Sequence, residues 1–184
     1  MKPLRNYLLA SLLAVLLSCL AAPAAAAPAS SQTEAAFAPD PAALGLVLKA
    51  IQSARQSIHV AAYVFTSKPV AQALLTAQRA GIEVAVVADG KENSGRYSAT
   101  RFLADQHIPV RLNARYAIFH NKFMIIDAMH VQTGSFNYSA AAASKNAENV
   151  LVVWNAPELA ARYERQWQRL WQEAETLADA TRND

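Results

Sequence analysis

The sequence predicts an α/β fold: a single domain built on a mixed β-sheet sandwiched between helices. Three observations carry that expectation. At 184 residues, 53% hydrophobic and 17% charged, the chain has apolar material for one core and too little length for two. Short apolar runs of strand length, Ser57 to Phe65, Ile82 to Ala88 and Ile108 to Leu112, alternate with stretches of helical period. The run Ile82 to Ala88 is almost wholly apolar, as a strand covered on both faces by helices must be.

The N-terminus reads as an export signal. Lys2 and Arg5 precede an apolar run from Tyr7 to Leu20, and an Ala/Pro stretch follows with small-residue cleavage sites. A cut after Ala24 or Ala26 avoids leaving Pro28 as the first residue, so residues 1–26 are assigned to the signal and the mature protein to the periplasm or the medium. Leu16-Leu17-Ser18-Cys19 offers an alternative as a lipoprotein box, in which lipidated Cys19 tethers the protein to a membrane. Cleavage downstream of Cys19 removes the chain's one cysteine, and with it disulfides and thiol catalysis. Processing also lowers the net charge from +3 to +1, because Lys2 and Arg5 leave with the signal; overall charge is then no argument for a polyanionic partner.

Residues 27–39, rich in Pro, Ala and Ser, read as a flexible lead-in, and residues 40–184 as the domain. Asp40-Pro41 supplies a cap and a first-turn proline for a helix to about Arg55, with Leu44, Val47, Leu48 and Ile51 on the face that covers the sheet. The strand Ser57 to Phe65 ends at Thr66-Ser67-Lys68-Pro69, which opens a helix to about Ala80 closed by Gly81; the strand Ile82 to Ala88 completes a β-α-β unit. Asp89 to Gly95 reads as a polar surface loop without the phosphate-cradling Gly-x4-Gly-Lys pattern, and Ser94 as the cap of a helix to about Gln106. Two strands after Leu112, a short helix at Ala140 to Ala143, a strand from Asn149 to Trp154 and a helix from Pro157 to about Ala178 complete the chain. Leu159, Tyr163, Trp167, Leu170 and Trp171 form the buried stripe of that last helix, which makes the tryptophans core residues.

The chemistry concentrates in His120-Asn121-Lys122-Phe123-Met124-Ile125-Ile126-Asp127. On an extended strand His120 and Lys122 share one face, while Phe123, Ile125 and Asp127 share the other. A neutral imidazole attacks phosphorus or moves a proton near neutral pH, and an ammonium beside it holds anionic oxygens. Asp127 is given a salt-bridging, supporting role. Asp89 is read as a local cap, and His59, His107 and His130 as structural or solvated. No His/Cys/Asp cluster has metal-ligand spacing, so neither metal nor cofactor is expected.

With Tyr63-Val64-Phe65-Thr66-Ser67 upstream, and Thr133-Gly134-Ser135-Phe136-Asn137 and Asn146-Ala147-Glu148-Asn149-Val150 downstream, the chain from about Ala50 to Trp171 resembles the phospholipase D superfamily. Within it the likeness is to the small secreted bacterial endonucleases that carry a single motif copy. The resemblance implies the phospholipase D/nuclease fold and a double displacement, in which one motif histidine attacks phosphorus and a second protonates the leaving oxygen. This chain carries one copy and no internal repeat, so the resemblance implies a two-fold homodimer with His120 of each subunit facing one phosphate. It further implies that Lys122 and Asn137 bind the nonbridging oxygens, that Ser135 adds a hydrogen bond, and that Glu148 orients a histidine ring.

For substrate, the first expectation is metal-independent hydrolysis of DNA, with RNA as a further candidate. From Arg79 to Lys122 there are seven basic residues against four acids, and Arg96, Arg101, Arg111, Arg115 and Tyr116 are candidate backbone contacts. Two other readings stay open. One is a phospholipase D releasing phosphatidyl headgroups, which shares the motif; the other is a noncatalytic nucleic-acid-binding protein on the same fold.

Overall fold

In the structure, a computed structural model that describes residues 30–95 and 97–177, an eight-stranded mixed sheet runs through the molecule. In chain order the elements are β1 (Gln32–Ala38), α1 (Pro41–Ser53), β2 (Ser57–Ala62), α2 (Lys68–Arg79), β3 (Glu83–Asp89), α3 (Gly90–Asn93), α4 (Ala99–Asp105), β4 (Val110–Asn113), β5 (Lys122–Ile126), β6 (His130–Gly134), α5 (Ala140–Ser144), β7 (Glu148–Trp154), α6 (Pro157–Gln172) and β8 (Glu175–Thr176). The strands lie in the order β1-β7-β6-β5-β2-β3-β4-β8. β2, β3 and β4 are parallel, and every other neighbouring pair is antiparallel.

Local chemistry sets the helix starts. Asp40 accepts the Ala42 N–H at 2.8 Å and Ser67 caps α2, each followed by a proline in the first turn. Gly81, at φ +87, makes the left-handed turn that returns the chain into β3. Helices α1, α2, α4 and α5 pack on one face through Val47, Ile51, Leu74 and Leu103, against Val60, Val86, Met124 and Val152. The opposite face is covered by α6, whose Trp167 and Leu170 meet Val87, Phe123, Ile125 and Val131. Alternation along β5 sorts its residues between the two layers, as its sequence requires. The Trp167 indole N–H reaches the Val60 carbonyl at 2.9 Å, and its ring stacks on His59 at 4.1 Å, which gives both side chains partners within the fold.

Four expectations change. The lead-in 27–39 is strand from Gln32: β1 pairs antiparallel with β7, turning Ala36 and Ala38 inward, and Lys49 on α1 ties back to Glu34 at 2.6 Å. The segment Asp89 to Gly95 is not a solvated loop, since Asp89 and Asn93 are 3% and 1% exposed. Asp89 caps the one-turn α3 through the Glu92 N–H, and α4 begins later, at Ser98 rather than Ser94, because Ser98 supplies the acceptor for Thr100. The last helix stops at Gln172, and the chain then pairs β8 with β4. The proposed signal, Cys19, Arg96 and the end of the expected last helix at Ala178 lie outside the described residues.

Candidate functional site

The parallel strands β2, β3 and β4 all end at one edge of the sheet, and β5 starts there because Lys122 pairs with Ala62. The same edge receives the end of β6, where Gly134 pairs with Val150, and the start of β7, where Glu148 pairs with Ala38. Register alone therefore gathers His120, Lys122, Ser135, Asn137 and Glu148 from segments far apart in sequence. This is also where α/β sheets offer crevices.

His120 is exposed, while Lys122, two residues on, is only 7% exposed. Tyr63, at the end of β2, organises both. Its ring meets the imidazole edge-on at 4.7 Å and lies 4.9 Å from the Lys122 Nζ, a cation-π contact in a partly desolvated place. The ammonium also donates to the His120 carbonyl at 3.2 Å. Burial pulls the Lys122 pKa below the ordinary lysine value, and the charge of Glu148 partly opposes that shift. Among the described residues no carboxylate closes a salt bridge with it, so the cation is open to an anion. Burial and the Glu92 carboxylate, which Tyr63 OH contacts at 3.3 Å, push the Tyr63 phenol up and keep it neutral.

Buried amides and carboxylates fix this edge. The Asp89 carboxylate accepts the Glu92 N–H at 2.9 Å and the Phe119 N–H at 2.8 Å, the latter one residue before His120. Asn93 donates to the Tyr63 and Asp89 carbonyls and accepts from the Phe65 N–H at 3.0 Å, joining the ends of β2 and β3. Gly134 is required on the other side: its φ is +148, and a Cβ there would strike the Asn149 carbonyl. That close approach lets Ser135 accept the Asn149 N–H at 3.0 Å while its hydroxyl donates to Glu148 at 2.6 Å.

Glu148 also accepts from the Asn146 amide at 2.9 Å, and it makes no hydrogen bond to His120 of its own chain. Asn137 Oδ1 is buried without a partner, a cost of about 1–3 kcal/mol for a residue with a purely structural role. Beside His120 and Lys122 a cavity of about 350 Å³ opens toward α6, with Thr133, Arg162, Tyr163 and Gln166 on its walls.

Asp127 is not part of this edge and forms no salt bridge among the described residues. It follows β5 at the far end in a tight turn, with φ +55 at Asp127 and +50 at Ala128, and its carboxylate accepts the backbone N–H groups of Arg55, Gln56 and Ser57 at 2.8, 2.7 and 2.9 Å. The strand-parity assignment of its face fails because the strand has already ended.

Most of the predicted basic contacts are engaged elsewhere. Arg111 donates to the Trp171 carbonyl at 3.0 Å and covers that indole at 4.6 Å. Tyr116 donates to Glu173 at 2.7 Å and accepts from Arg169 at 2.8 Å, with Arg115 3.9 Å from the same carboxylate. The Tyr116 hydrogen bond, then the Arg169 and Arg115 charges, hold Glu173 below the usual carboxylate range. Arg101 contacts the Ser94 carbonyl at 3.4 Å, on α4. Sequence reading missed Arg162, which sits on the polar side of a helix read for its apolar stripe. Tyr63, a polar aromatic at a strand end, carries a usable signal of its own. Among the described residues no three His, Cys, Asp or Glu side chains group as a metal site, and no helix is long and apolar enough to cross a membrane.

Comparison with known proteins gives one consistent result. Residues 47–171 match the family model described as cardiolipin synthase, PLD-like domain. Nuc from Salmonella typhimurium, a phospholipase D family member, superposes with a TM-score of 0.78 at 38% identity, covering 80% of this chain and 98% of that one. NucT from Helicobacter pylori gives 0.73 at 25% identity, covering 80% and 99%. A protein named phospholipase D from Rickettsia bellii is 36% identical over 137 residues, 74% of this chain and 68% of the relative.

Proposed function

The chain belongs to the phospholipase D-like family and is a phosphodiesterase, and from that premise we propose that it is a secreted or periplasmic, metal-independent endonuclease acting on DNA, with RNA as a second polymer. The observation that carries the reading is the exposed His120 set beside a buried Lys122 that has no ion-pair partner among the described residues, at the mouth of a cavity.

In the first step an imidazole nitrogen of one subunit's His120 forms a bond to phosphorus as the bond to the leaving oxygen breaks. The leaving oxygen takes its proton from the imidazolium of the partner subunit's His120. That second imidazole, now neutral, accepts a proton from water; the water oxygen bonds to phosphorus, and the phosphorus–nitrogen bond breaks. Lys122 and the Asn137 amide hold the nonbridging oxygens, supplying near the site the positive field that metals give other phosphodiesterases. Ser135 holds the Glu148 carboxylate, which receives the imidazole brought by the partner.

A homodimer is part of this proposal, because His59, His107 and His130 are all placed away from the site and one His120 cannot be nucleophile and acid in the same step. His59 is bonded to Glu164, His130 accepts the Asn155 N–H, and His107 terminates α4 on the surface. Export rests on Lys2, Arg5 and the apolar run after them. A second reading, phospholipase D activity, is favoured by the similarity to the phospholipase D of Rickettsia bellii.

Protein lacking residues 1–26, assayed in chelator against plasmid DNA and phosphatidylcholine vesicles, separates the readings. Nicking without headgroup release supports the endonuclease. Headgroup release without nicking assigns a lipid substrate and raises the standing of Cys19 as an anchor. Loss of nicking on chelation overturns metal independence, and binding without turnover on either substrate returns the noncatalytic reading.

A further inference from the structure

The cavity beside His120 has a cation that the double displacement does not use. Arg162 lines it from α6, is exposed, and makes no hydrogen bond or ion pair among the described residues. Its basic neighbours on the helix are differently placed: Arg165, also exposed, does not line the cavity. Arg169 is held by Glu173 at 2.8 Å and by Tyr116, and Glu164 is occupied by His59. The nearest charges of opposite sign on α6 are thus either engaged or, for Glu158, unpaired with it. On the opposite wall Lys122 answers the charge of the scissile phosphate. A single phosphodiester therefore leaves Arg162 without a counter-charge.

We propose that Arg162 is the cation of a second phosphate subsite, which takes the phosphodiester next to the scissile one along a nucleic-acid strand. The walls favour a strand over a lipid. His120, Asn121, Thr133 and Gln166 offer hydrogen-bonding groups along the cavity, and the two aromatic rings, Phe123 and Tyr163, pack edge-on against each other at 5.0 Å. A guanidinium suits the task, since its planar fork grips phosphate oxygens in pairs. The subsite rests on the phosphodiesterase site at His120 and sharpens the endonuclease reading, because phosphatidylcholine has no second phosphodiester to offer.

The test is binding of a labelled single-stranded oligonucleotide, read by anisotropy across a salt series, in a His120→Ala background that prevents cleavage. Arg162→Gln is expected to weaken binding about fivefold and to reduce the slope of log affinity against log salt by about 0.7 for each subsite lost. Arg79→Gln removes the same charge on α2, where Arg79 contacts Gln106 at 3.0 Å, and is expected to leave both quantities at the parent value. Coincidence of the two variants overturns the subsite. Weakening confined to vesicles of a lipid with two phosphodiesters, with oligonucleotide binding unchanged, overturns the nucleic-acid assignment. Plasmid nicking by the wild-type protein keeps the two ideas separable: no nicking with the slope change intact sinks the endonuclease reading and supports the subsite, whereas nicking with no slope change sinks the subsite alone.

Discussion

The two ends of β5 carry charged residues of the same motif and treat them in opposite ways. At one end Lys122 is buried with no carboxylate partner among the described residues, and its pKa is lowered by that burial. At the other, Asp127 accepts three backbone N–H groups and has its charge fully answered. The two lie five residues apart, about 16 Å along an extended strand, too far to act on one phosphate. The motif thus divides into an end whose cation has no ion-pair partner among the described residues, the end proposed to meet substrate, and an end that closes the fold.

The strongest break of that contrast is Lys122→Met. Turnover should fall about 10³-fold, the scale of losing a preorganised positive group opposite developing charge. Stability should not fall with it, because an unpaired buried ammonium is replaced by an apolar side chain of similar length. Equilibrium denaturation alongside kinetics reads both, and a large loss of stability would mean that Lys122 is structural.

Asp127→Ala should do the reverse. It removes the acceptor of three N–H groups and places alanine at a positive φ, costing about 2–4 kcal/mol in denaturant unfolding. Activity per folded molecule should stay within about threefold; collapse of the rate constant in fully folded protein would return Asp127 to the chemistry.

Finer tests use pH. The proposed mechanism needs protonated Lys122, whose pKa is lowered by burial and supported by Glu148, so it predicts that activity fails on the alkaline side below the ordinary lysine range. Glu148→Gln removes that support and should move the alkaline limb to still lower pH, whatever it does to the plateau. An unmoved limb would uncouple the two groups. The smallest effect is expected at His130, where burial lowers the pKa against the opposing charge of Asp127, while the ring accepts the Asn155 N–H at 2.9 Å. Its folded value lies below its unfolded one, so its contribution is present above the unfolded pKa and is lost as pH falls through the window between them. His130→Gln should flatten the fall in thermal midpoint on that acid side.

The sequence made the helix starts at Asp40 and Ser67, the β-α-β unit and the motif strands legible, because caps, prolines and period are local signals. β1 escaped because Ala35, Ala36 and Ala38 carry little apolar contrast, and its strand character comes from pairing with β7. The candidate residues His120, Lys122, Ser135, Asn137 and Glu148 were named from the motif, and register brings their segments to one edge. The arginines were not, since partnership is a tertiary property. Arg111, Arg115 and Arg162 look alike in the chain, yet Arg111 covers Trp171, Arg115 faces Glu173, and Arg162 opens on the cavity.

The central claim is that one working site needs His120 from two chains. Wild-type and His120→Ala proteins, unfolded together and refolded in equal amounts, would distribute at random among dimers, and nicking activity per total protein measures the requirement. Two histidines per site predict about one quarter of the all-wild-type activity, since only dimers with both copies intact can complete the double displacement. About one half, linear in the wild-type fraction, would show that a single chain suffices and would contradict the account.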